Sequence, residues 1–343
     1  MRERYVSMNM TLIHGPGMIR LQPNQGVVTC VVRNGEFYLE RFIQHYFEMG
    51  FRHLIFLDNG STDNTIAIGK RHRNVSIYRS CLPIEAHQAL FKKRLPQLCV
   101  KGGWCLDADI DEFLDFPSSD AIDLGQFFGY LNRNKYTAVV TQLLDMFSDR
   151  PVSVSAPEDD DPNAVLSVTY PYYDLSDVTK TDYRTSELST TYGGRNTVSN
   201  VATKLLWGGI RKTLSGNEYL LTKHSLFSME NRPDLFPHVH FVNKARLADV
   251  SCVLLHYKLT SSALAIAIQN MERFPGNSKL YADFIQYITK NPTYQVKRPE
   301  ATRLRGVNQL VRQDFLFTSE NYRQYVESHA MAHSLQTSGQ VQL

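Results

Sequence analysis

The sequence predicts an α/β protein with a mostly parallel central sheet flanked by helices. Strand-like runs alternate with amphipathic helix-like segments as far as about residue 144, which is the order of βαβ units with short connections. The strand-like runs are also continuously apolar, as expected of strands that are covered on both faces. Hydrophobic residues form 43% of the 343-residue chain, so it can build a large core.

Each element of this alternation follows from its local pattern. The first strand, VVTCVV, is rich in β-branched residues, and the helix after it has Asn34 as a capping residue and Gly50 at its end. The predicted elements are a strand over 27–32, a helix over 35–49, a strand over 53–58, the loop NGSTDNT leading into a helix, a strand over 75–78, a helix over about 85–98, the strand WCLDAD, a helix over about 121–132 and a strand over 136–144.

The pattern changes after Asp145. Residues 151–200 are rich in Asp, Ser, Thr, Pro and Tyr, which predicts long loops with short strands. Strand-like runs return at KLLWGGI and DVSCVLLHYKL, and residues 262–327 have a mainly helical pattern. We expect residues 329–343 to form a disordered tail.

Charge and cysteine content exclude several classes of protein. A formal net charge of +3 is too small to indicate nucleic acid binding. The five cysteines lack a CxxC pair, which indicates reduced thiols rather than a disulfide framework or a zinc site. The N-terminus has no apolar signal-like region, and no stretch approaches 18 apolar residues. We expect a cytoplasmic protein, whose basic residues near position 300 permit peripheral contact at the inner face of a membrane.

The stretch WCLDADIDEFL places three aspartates at alternate positions of an apolar run. In a strand, Asp107, Asp109 and Asp111 share one face, opposite the apolar side chains. At a separation of about 5 Å and an effective dielectric of about 20, each like-charged pair costs on the order of 3 kcal/mol. Because the carboxyl ends of strands in an α/β sheet open onto the ligand crevice, the cluster predicts a site for Mg²⁺ or Mn²⁺.

Two alternatives to a cation site can be weighed on the same residues. An EF-hand loop starting at Asp107 requires glycine at the position of Glu112 and glutamate at the position of Ser118, so the sequence excludes it. A solvated turn with acidic helix caps is simpler, but the apolar opposite face favours a strand. Asp58 ends the second strand at the same rim, where it can contact a nucleoside or only start a turn.

Two segments resemble family 2-type glycosyltransferases of the GT-A fold. The first is VVRNGEFYLERFIQHYFEMGFRHLIFLDNGSTDNT (31–65), which is similar to a subgroup pattern RNE…HY…DN.StD.T. The second is WCLDADIDEFLDFP (104–117), similar to the W…DxDEf signature of that subgroup. Later segments, including WGGIRKTL and LLHYKL, fit more loosely. The resemblance implies an N-terminal segment (1–26), a GT-A domain (27–260) with nucleotide-binding and acceptor halves (27–117 and 136–260), and a helical C-terminal extension (261–328).

The resemblance also implies a nucleotide-sugar donor, most simply a UDP- or GDP-sugar, and a divalent cation that bridges its diphosphate. The metal ligands it implies are Asp109 and Asp111 of the DxD motif and His256 at the end of a late strand. The expected contacts to the nucleotide-sugar are Arg33, Asn34, Glu36, Asp58, Asp109, Arg211 and Lys223.

An inverting transfer needs a general base for the acceptor hydroxyl. The family usually places it in a late Glu-Asp pair, and the only such pair here, Glu158-Asp159, lies in a proline-bounded polar loop that does not match. Asp145 and Asp149 of LLDMFSD follow the strand after the DxD motif, so they are the candidate bases.

The leading hypothesis is an inverting, metal-dependent glycosyltransferase that acts on a glycan or lipid-linked acceptor in surface or exopolysaccharide synthesis. A sugar nucleotidyltransferase is the alternative enzyme, although the Gly-rich basic loop expected after its first strand is replaced here by Arg33-Asn34-Gly35-Glu36. A catalytically degenerate GT-A protein that binds carbohydrate or a partner is the non-enzymatic alternative.

Overall fold

A central mixed sheet organises the molecule. The computed structural model describes residues 2–152, 165–231 and 233–339. Within these ranges eleven strands form the sheet, in the order β1-β5-β4-β3-β7-β14-β9-β17-β12, with β18 beside β9 and β8 beside β18. These strands are β1 (Thr11–His14), β3 (Gly26–Val32), β4 (His53–Asp58), β5 (Val75–Arg79), β7 (Trp104–Asp107), β8 (Glu112–Asp115), β9 (Ala138–Asp145), β12 (Thr197–Val198), β14 (Thr222–Ser228), β17 (Arg246–Leu247) and β18 (Cys252–His256).

Short two-stranded pairs and helices surround this sheet. The paired strands are β2 (Ile19–Arg20) with β6 (Val100–Lys101), β10 (Tyr172–Tyr173) with β19 (Thr302–Arg303), β11 (Val178–Asp182) with β13 (Lys204–Gly208), and β15 (Asp234–His238) with β16 (Phe241–Asn243). The helices are α1 (Arg2–Met8), α2 (Glu36–Met49), α3 (Thr65–Gly69), α4 (Ile84–Cys99), α5 (Leu124–Arg133), α6 (Leu166–Thr169), α7 (Glu187–Gly193), α8 (Ile210–Ser215), α9 (Ala263–Arg273), α10 (Ser278–Lys290), α11 (Asn308–Arg312) and α12 (Glu320–Gly339).

The predicted α/β class with a mostly parallel central sheet is confirmed. Strands β5, β4, β3 and β7 are mutually parallel, and β9 and β18 form a second parallel pair. Strand β3 shows why its sequence is continuously apolar: Val28, Cys30 and Val32 pack into one core cluster with α2 and α5, while Val27 and Val31 pack into another with α1 and α4. Helices therefore cover both faces of the sheet.

The loop after β4, not Asn34, caps helix α2. Asn34 lies in the left-handed region (φ 53°), and its side-chain oxygen accepts the Thr62 N–H at 2.8 Å. Asp63 Oδ2 accepts the Glu36 N–H at the start of α2, at 3.0 Å. Asn64 in turn donates to Glu36 at 2.6 Å. The segment 31–65 contains both the β3–α2 turn and the β4–α3 loop, and these hydrogen bonds hold the two together.

The acidic stretch forms a shorter strand than predicted. Strand β7 ends at Asp107, residues 110–111 form a turn, and β8 begins at Glu112 and pairs antiparallel with β18. A Cβ on Gly35 would lie 2.6 Å from Val32 Cγ2 and 3.2 Å from Ile110 Cγ1, so only glycine lets the α2 start approach this turn. The aspartates thus lie on a tight connection between two strands.

The two termini are built into the domain. Strand β1 pairs antiparallel with β5, so the N-terminal segment extends the sheet. In the C-terminal extension, Tyr322 and Tyr325 of α12 pack on Tyr130 with ring centroids 5.0 Å apart. Helix α12 continues to Gly339, which lies within the segment expected to form a disordered tail. Residues 340–343 and the Glu158-Asp159 pair lie outside the described residues. Over the described ranges, every helix is too short or too polar to span a membrane.

Acid should destabilise the fold through His224. This imidazole is fully buried on β14, where Nδ1 accepts the Val242 N–H and Nε2 lies 3.1 Å from Tyr183 Oη. Burial lowers the pKa of His224 to about 3, whereas an unfolded histidine has a pKa near 6.5. Unfolding therefore takes up one proton between these values, and stability falls as the pH falls.

We expect His224 to contribute a slope of about 1.4 kcal/mol per pH unit between pH 6.5 and 3. Urea unfolding at several pH values would measure this slope. His224→Gln should lower it by about 1.4 kcal/mol per pH unit, the contribution of one proton. An unchanged slope in the variant would contradict this prediction.

Candidate functional site

A cavity of about 420 Å³ opens at the carboxyl ends of β3, β7 and β18. This edge is where ligands bind in open α/β sheets. Its lining includes the acidic turn, the end of β18, the start of α4 and the inner side of the α9–α10 helix pair. The charged residues among the lining are Arg33, Glu85, Asp109, Asp111, His256, Lys258 and Arg273. We call this cavity the first pocket.

Two buried lysines neutralise much of the acidic stretch. Lys92 of α4 contacts Asp107 Oδ2 at 2.7 Å and Asp109 Oδ1 at 2.9 Å. Lys223 of β14 contacts Asp109 Oδ2 at 2.9 Å and also binds Glu112. The repulsion expected from the sequence is therefore offset by cations from two distant elements. Burial opposes ionisation of Asp109, but Lys223 and Lys92 outweigh it and hold the pKa of Asp109 well below its usual range.

His256 joins two further acids because of the sheet register. Strand β18 places it beside Glu112 of β8 on one side and Asp145 of β9 on the other. Its Nδ1 lies 2.5 Å from Asp145 Oδ1, and its Nε2 lies 3.4 Å from Asp111 Oδ2. Arg211 Nε completes the row by donating to Asp145 Oδ2 at 2.8 Å. The side chains therefore form a row in the order Arg211, Asp145, His256 and Asp111.

This row sets the charge states of its members. Burial alone would raise the pKa of Asp145, but Arg211 and His256 outweigh it and lower the pKa strongly. Burial likewise lowers the pKa of His256, while Asp111 and Asp145 outweigh it and raise that pKa above the ordinary value. Asp145 is 5% exposed with both oxygens bonded. It is therefore arranged to orient His256. The role of Asp145 as the general base for an acceptor hydroxyl stays a prediction.

The residues at Asp111 and His256 fit a divalent cation. Asp111 Oδ2 and His256 Nε2 lie 3.4 Å apart. This is the spacing of two ligand atoms that each lie about 2.1 Å from one shared metal ion. The Nδ1 contact to Asp145 is the usual outer-shell bond of a metal-binding histidine. Both oxygens of Asp109 already contact lysines. Over the described chain, no three His, Cys, Asp or Glu side chains form a group that could hold a metal ion. A cation bound by Asp111 and His256 would need its other ligands from water or from a substrate.

Three cations in the first pocket form no close ion pair with a residue that the structure describes. Arg33 and Lys258 make no ion pair within 4 Å among the described residues, and neither does Arg273. The Arg273 Nε is buried without a hydrogen-bond partner, and burial lowers the pKa of its guanidinium. Leaving a buried charged donor unsatisfied costs free energy. An anionic ligand in the pocket would relieve that cost.

The structure brings together some predicted site residues and separates others. Arg33, Asn34, Asp109, Asp111 and His256 line the first pocket. The remaining predicted residues do not line it. Glu36 binds Asn64, and Lys223 binds Asp109 and Glu112. Asp58 is fully buried against the Gly60 and Ser61 N–H groups and Arg79, Arg211 lines a neighbouring cavity, and Asp149 is exposed outside both cavities. A nucleoside contact by Asp58 stays a prediction.

Sequence reasoning missed Lys92, Lys258 and Arg273. Lys258 had a usable signal, since it follows His256 by two residues and so points to the same side of an extended chain. Lys92 lies on the buried face of α4 between Phe91 and Leu95, where a lysine indicates a buried anion. Arg273 gave no signal, because only the packing of α9 over the sheet edge brings it to the pocket.

Comparison with known proteins adds little to this geometry. No protein-family model matches the sequence, and no curated protein matches it. Among solved structures, the chain matches the crystal structure of HddC from Yersinia pseudotuberculosis with a TM-score of 0.32 and 10% identity. That match covers 72% of this chain and 99% of that chain. A similarity at this level carries no information about reaction or ligand.

Proposed function

We propose that the chain is a metal-dependent glycosyltransferase of the GT-A fold that uses a nucleotide-diphosphate sugar as donor. One observation carries the proposal: in the first pocket Asp111 and His256, which could share a cation, lie with Arg33, Lys258 and Arg273, three cations that form no ion pair with a described residue. A diphosphate matches both groups of residues. Some of its oxygens can complete the coordination of Mg²⁺ or Mn²⁺ at Asp111 and His256, while its other oxygens bind the basic side chains.

The chemistry of transfer needs such an arrangement. When the sugar leaves, charge grows on the nucleoside diphosphate, and stabilising that charge is a large part of the catalysis. A bound cation would neutralise part of it. Arg273 and Lys258 are positioned to hold the phosphates, and Asp145 keeps the His256 ring in one orientation through Nδ1. Because the cations are fixed by the fold, little reorganisation accompanies the reaction.

The fold and motifs support the same proposal. The mostly parallel sheet carries the pocket at its carboxyl edge, and the DxD motif forms the turn that presents Asp111. Lys92 and Lys223 offset the repulsion among the carboxylates of that turn before a ligand arrives. The inverting stereochemistry and a glycan or lipid-linked acceptor belong to the proposal through the resemblance of the two motifs.

Thermal-shift titration of the wild-type chain tests this proposal. UDP, GDP and dTDP and their common sugar conjugates are added with Mn²⁺, with Mg²⁺ or with a chelator. At a ligand concentration of 100 times Kd, binding to the folded state should stabilise it by about 2.7 kcal/mol. We expect a shift for at least one nucleoside diphosphate that requires the metal.

The matched control ligands are uridine, guanosine and thymidine, which lack the diphosphate. They should give no metal-dependent shift, because both halves of the pocket recognise phosphate oxygens. If no nucleoside diphosphate gives a metal-dependent shift, or if the nucleosides give the same one, the proposed donor class is wrong.

A further inference from the structure

A second cavity adjoins the first and differs from it in character. We call it the second pocket; it has a volume of about 110 Å³ and shares Lys258, Ile266, Asn270 and Tyr281 with the first pocket. Most of its remaining lining is apolar or aromatic, contributed by Leu214, Tyr219, Leu259, Ala263, Ala267 and Phe284. It therefore extends the reacting centre towards α8 and the α9–α10 pair.

Arg211 gives this apolar cavity an unsatisfied positive group. Its Nε is used by Asp145, and its guanidinium lies 4.7 Å from the centre of the Tyr219 ring. Its Nη2, however, is buried and has no hydrogen-bond partner. Over the described residues only two buried side-chain polar atoms lack a partner, Arg211 Nη2 and Arg273 Nε, and the two arginines line the two adjoining pockets.

Buried donors are nearly always bonded in native proteins, so an orphaned one in a cavity indicates a missing acceptor. Lys258 lies at the junction of the pockets and forms no ion pair within 4 Å with a described residue, so it adds a second positive charge. Among the residues that the structure describes, no carboxylate lines the second pocket. An incoming anion would thus meet the Lys258 ammonium and the unbonded Nη2 of Arg211, whose Nε is paired with Asp145, while its carbon skeleton would contact the aromatic and aliphatic walls.

We propose that the second pocket binds the acceptor and selects one that carries an anionic group, a carboxylate or a phosphate, close to its reacting sugar. The inference rests on the proposed function, since it takes the first pocket as the donor site. The cavity is too small for a nucleotide and suits part of one sugar ring. Shared residues Lys258 and Tyr281 place its occupant next to Asp111 and His256.

Ligand-observed NMR titrations with three probes of similar size test the selection. Glucose is the neutral probe, glucuronate carries the carboxylate and glucose 6-phosphate carries the phosphate. We expect at least one anionic probe to bind the wild-type chain about tenfold or more tightly than glucose, because a charge-assisted hydrogen bond distinguishes them. Comparing the two anionic probes shows which group the acceptor carries.

Four variants assign that binding to a pocket. Arg211→Gln removes the orphaned donor and Ala267→Phe fills the second pocket without changing charge; each should reduce the preference to less than about threefold. Arg303→Gln, an exposed arginine outside both pockets, is the matched control and should keep the preference. Arg273→Gln, which alters only the first pocket, should also keep it.

The inference is overturned if glucose binds as tightly as the anionic probes. It is also overturned if the preference survives both Arg211→Gln and Ala267→Phe, or is lost only in Arg273→Gln, since the anion would then occupy the first pocket. The metal-dependent shift with nucleoside diphosphates is measured separately on the wild type. Its absence with the anion preference intact would remove the proposed function but leave an anion site at Arg211.

Discussion

Replacement of Asp111 by asparagine is expected to lower the rate of sugar release from the donor by about 10²- to 10³-fold. Among the described residues, Asp111 supplies the only carboxylate near the Nε2 of His256 that is not bonded to a lysine. Asparagine keeps the size of the side chain but removes the charge that holds a divalent cation. The metal-dependent stabilisation by nucleoside diphosphates should disappear in the same variant.

Release of UDP or GDP from a panel of nucleotide sugars, with Mn²⁺ present, measures the rate. Asp120→Asn is the matched control, because Asp120 is exposed and lines neither pocket. Asp149→Asn tests the candidate base from the sequence and should also retain activity, since Asp149 lies outside both pockets. Activity that survives Asp111→Asn, or that is lost as strongly in Asp149→Asn, would show that the centre is misplaced.

The second large effect concerns stability. Lys92→Met should lower the free energy of unfolding by about 3–5 kcal/mol, because it leaves Asp107 buried without a counter-charge. The Lys92 side chain is 2% exposed and contacts two carboxylates, at 2.7 and 2.9 Å. Methionine fits the apolar stem of lysine, so the loss reports the missing ammonium rather than a cavity.

Urea unfolding of the variant and of two companions measures this effect. Lys93→Met changes the next residue of the same helix, whose ion pairs with Glu3 and Asp234 are partly exposed, and should cost less than about 1 kcal/mol. The double variant Lys92→Met with Asp107→Asn should recover part of the loss, because the unpaired charge is then gone. A loss in Lys92→Met no larger than in Lys93→Met would contradict a structural role for the buried pair.

The strands and helices of the first half were predictable because their signals are local. Continuous apolar runs gave β3, β4 and β9 nearly to the residue, and the helix stripe of α2 ends at Gly50 as expected. The cap of α2 was assigned to Asn34, although Asp63 of a different loop provides it. A capping group that comes from another loop leaves no trace in the neighbouring sequence.

In the candidate site, too, features with a local sequence pattern were predictable and features that depend on tertiary contacts were not. The sequence alone determined that acidic residues gather at a strand end and that His256 closes a late strand, since both follow from alternation and the order of the elements. Only the tertiary structure decided which carboxylates are free. Lys92 and Lys223 bind Asp109 across 17 and 114 residues of chain, and the β9–β18 register joins His256 to Asp145. Electrostatic partners depend on distance in space, which a pattern along one strand does not contain.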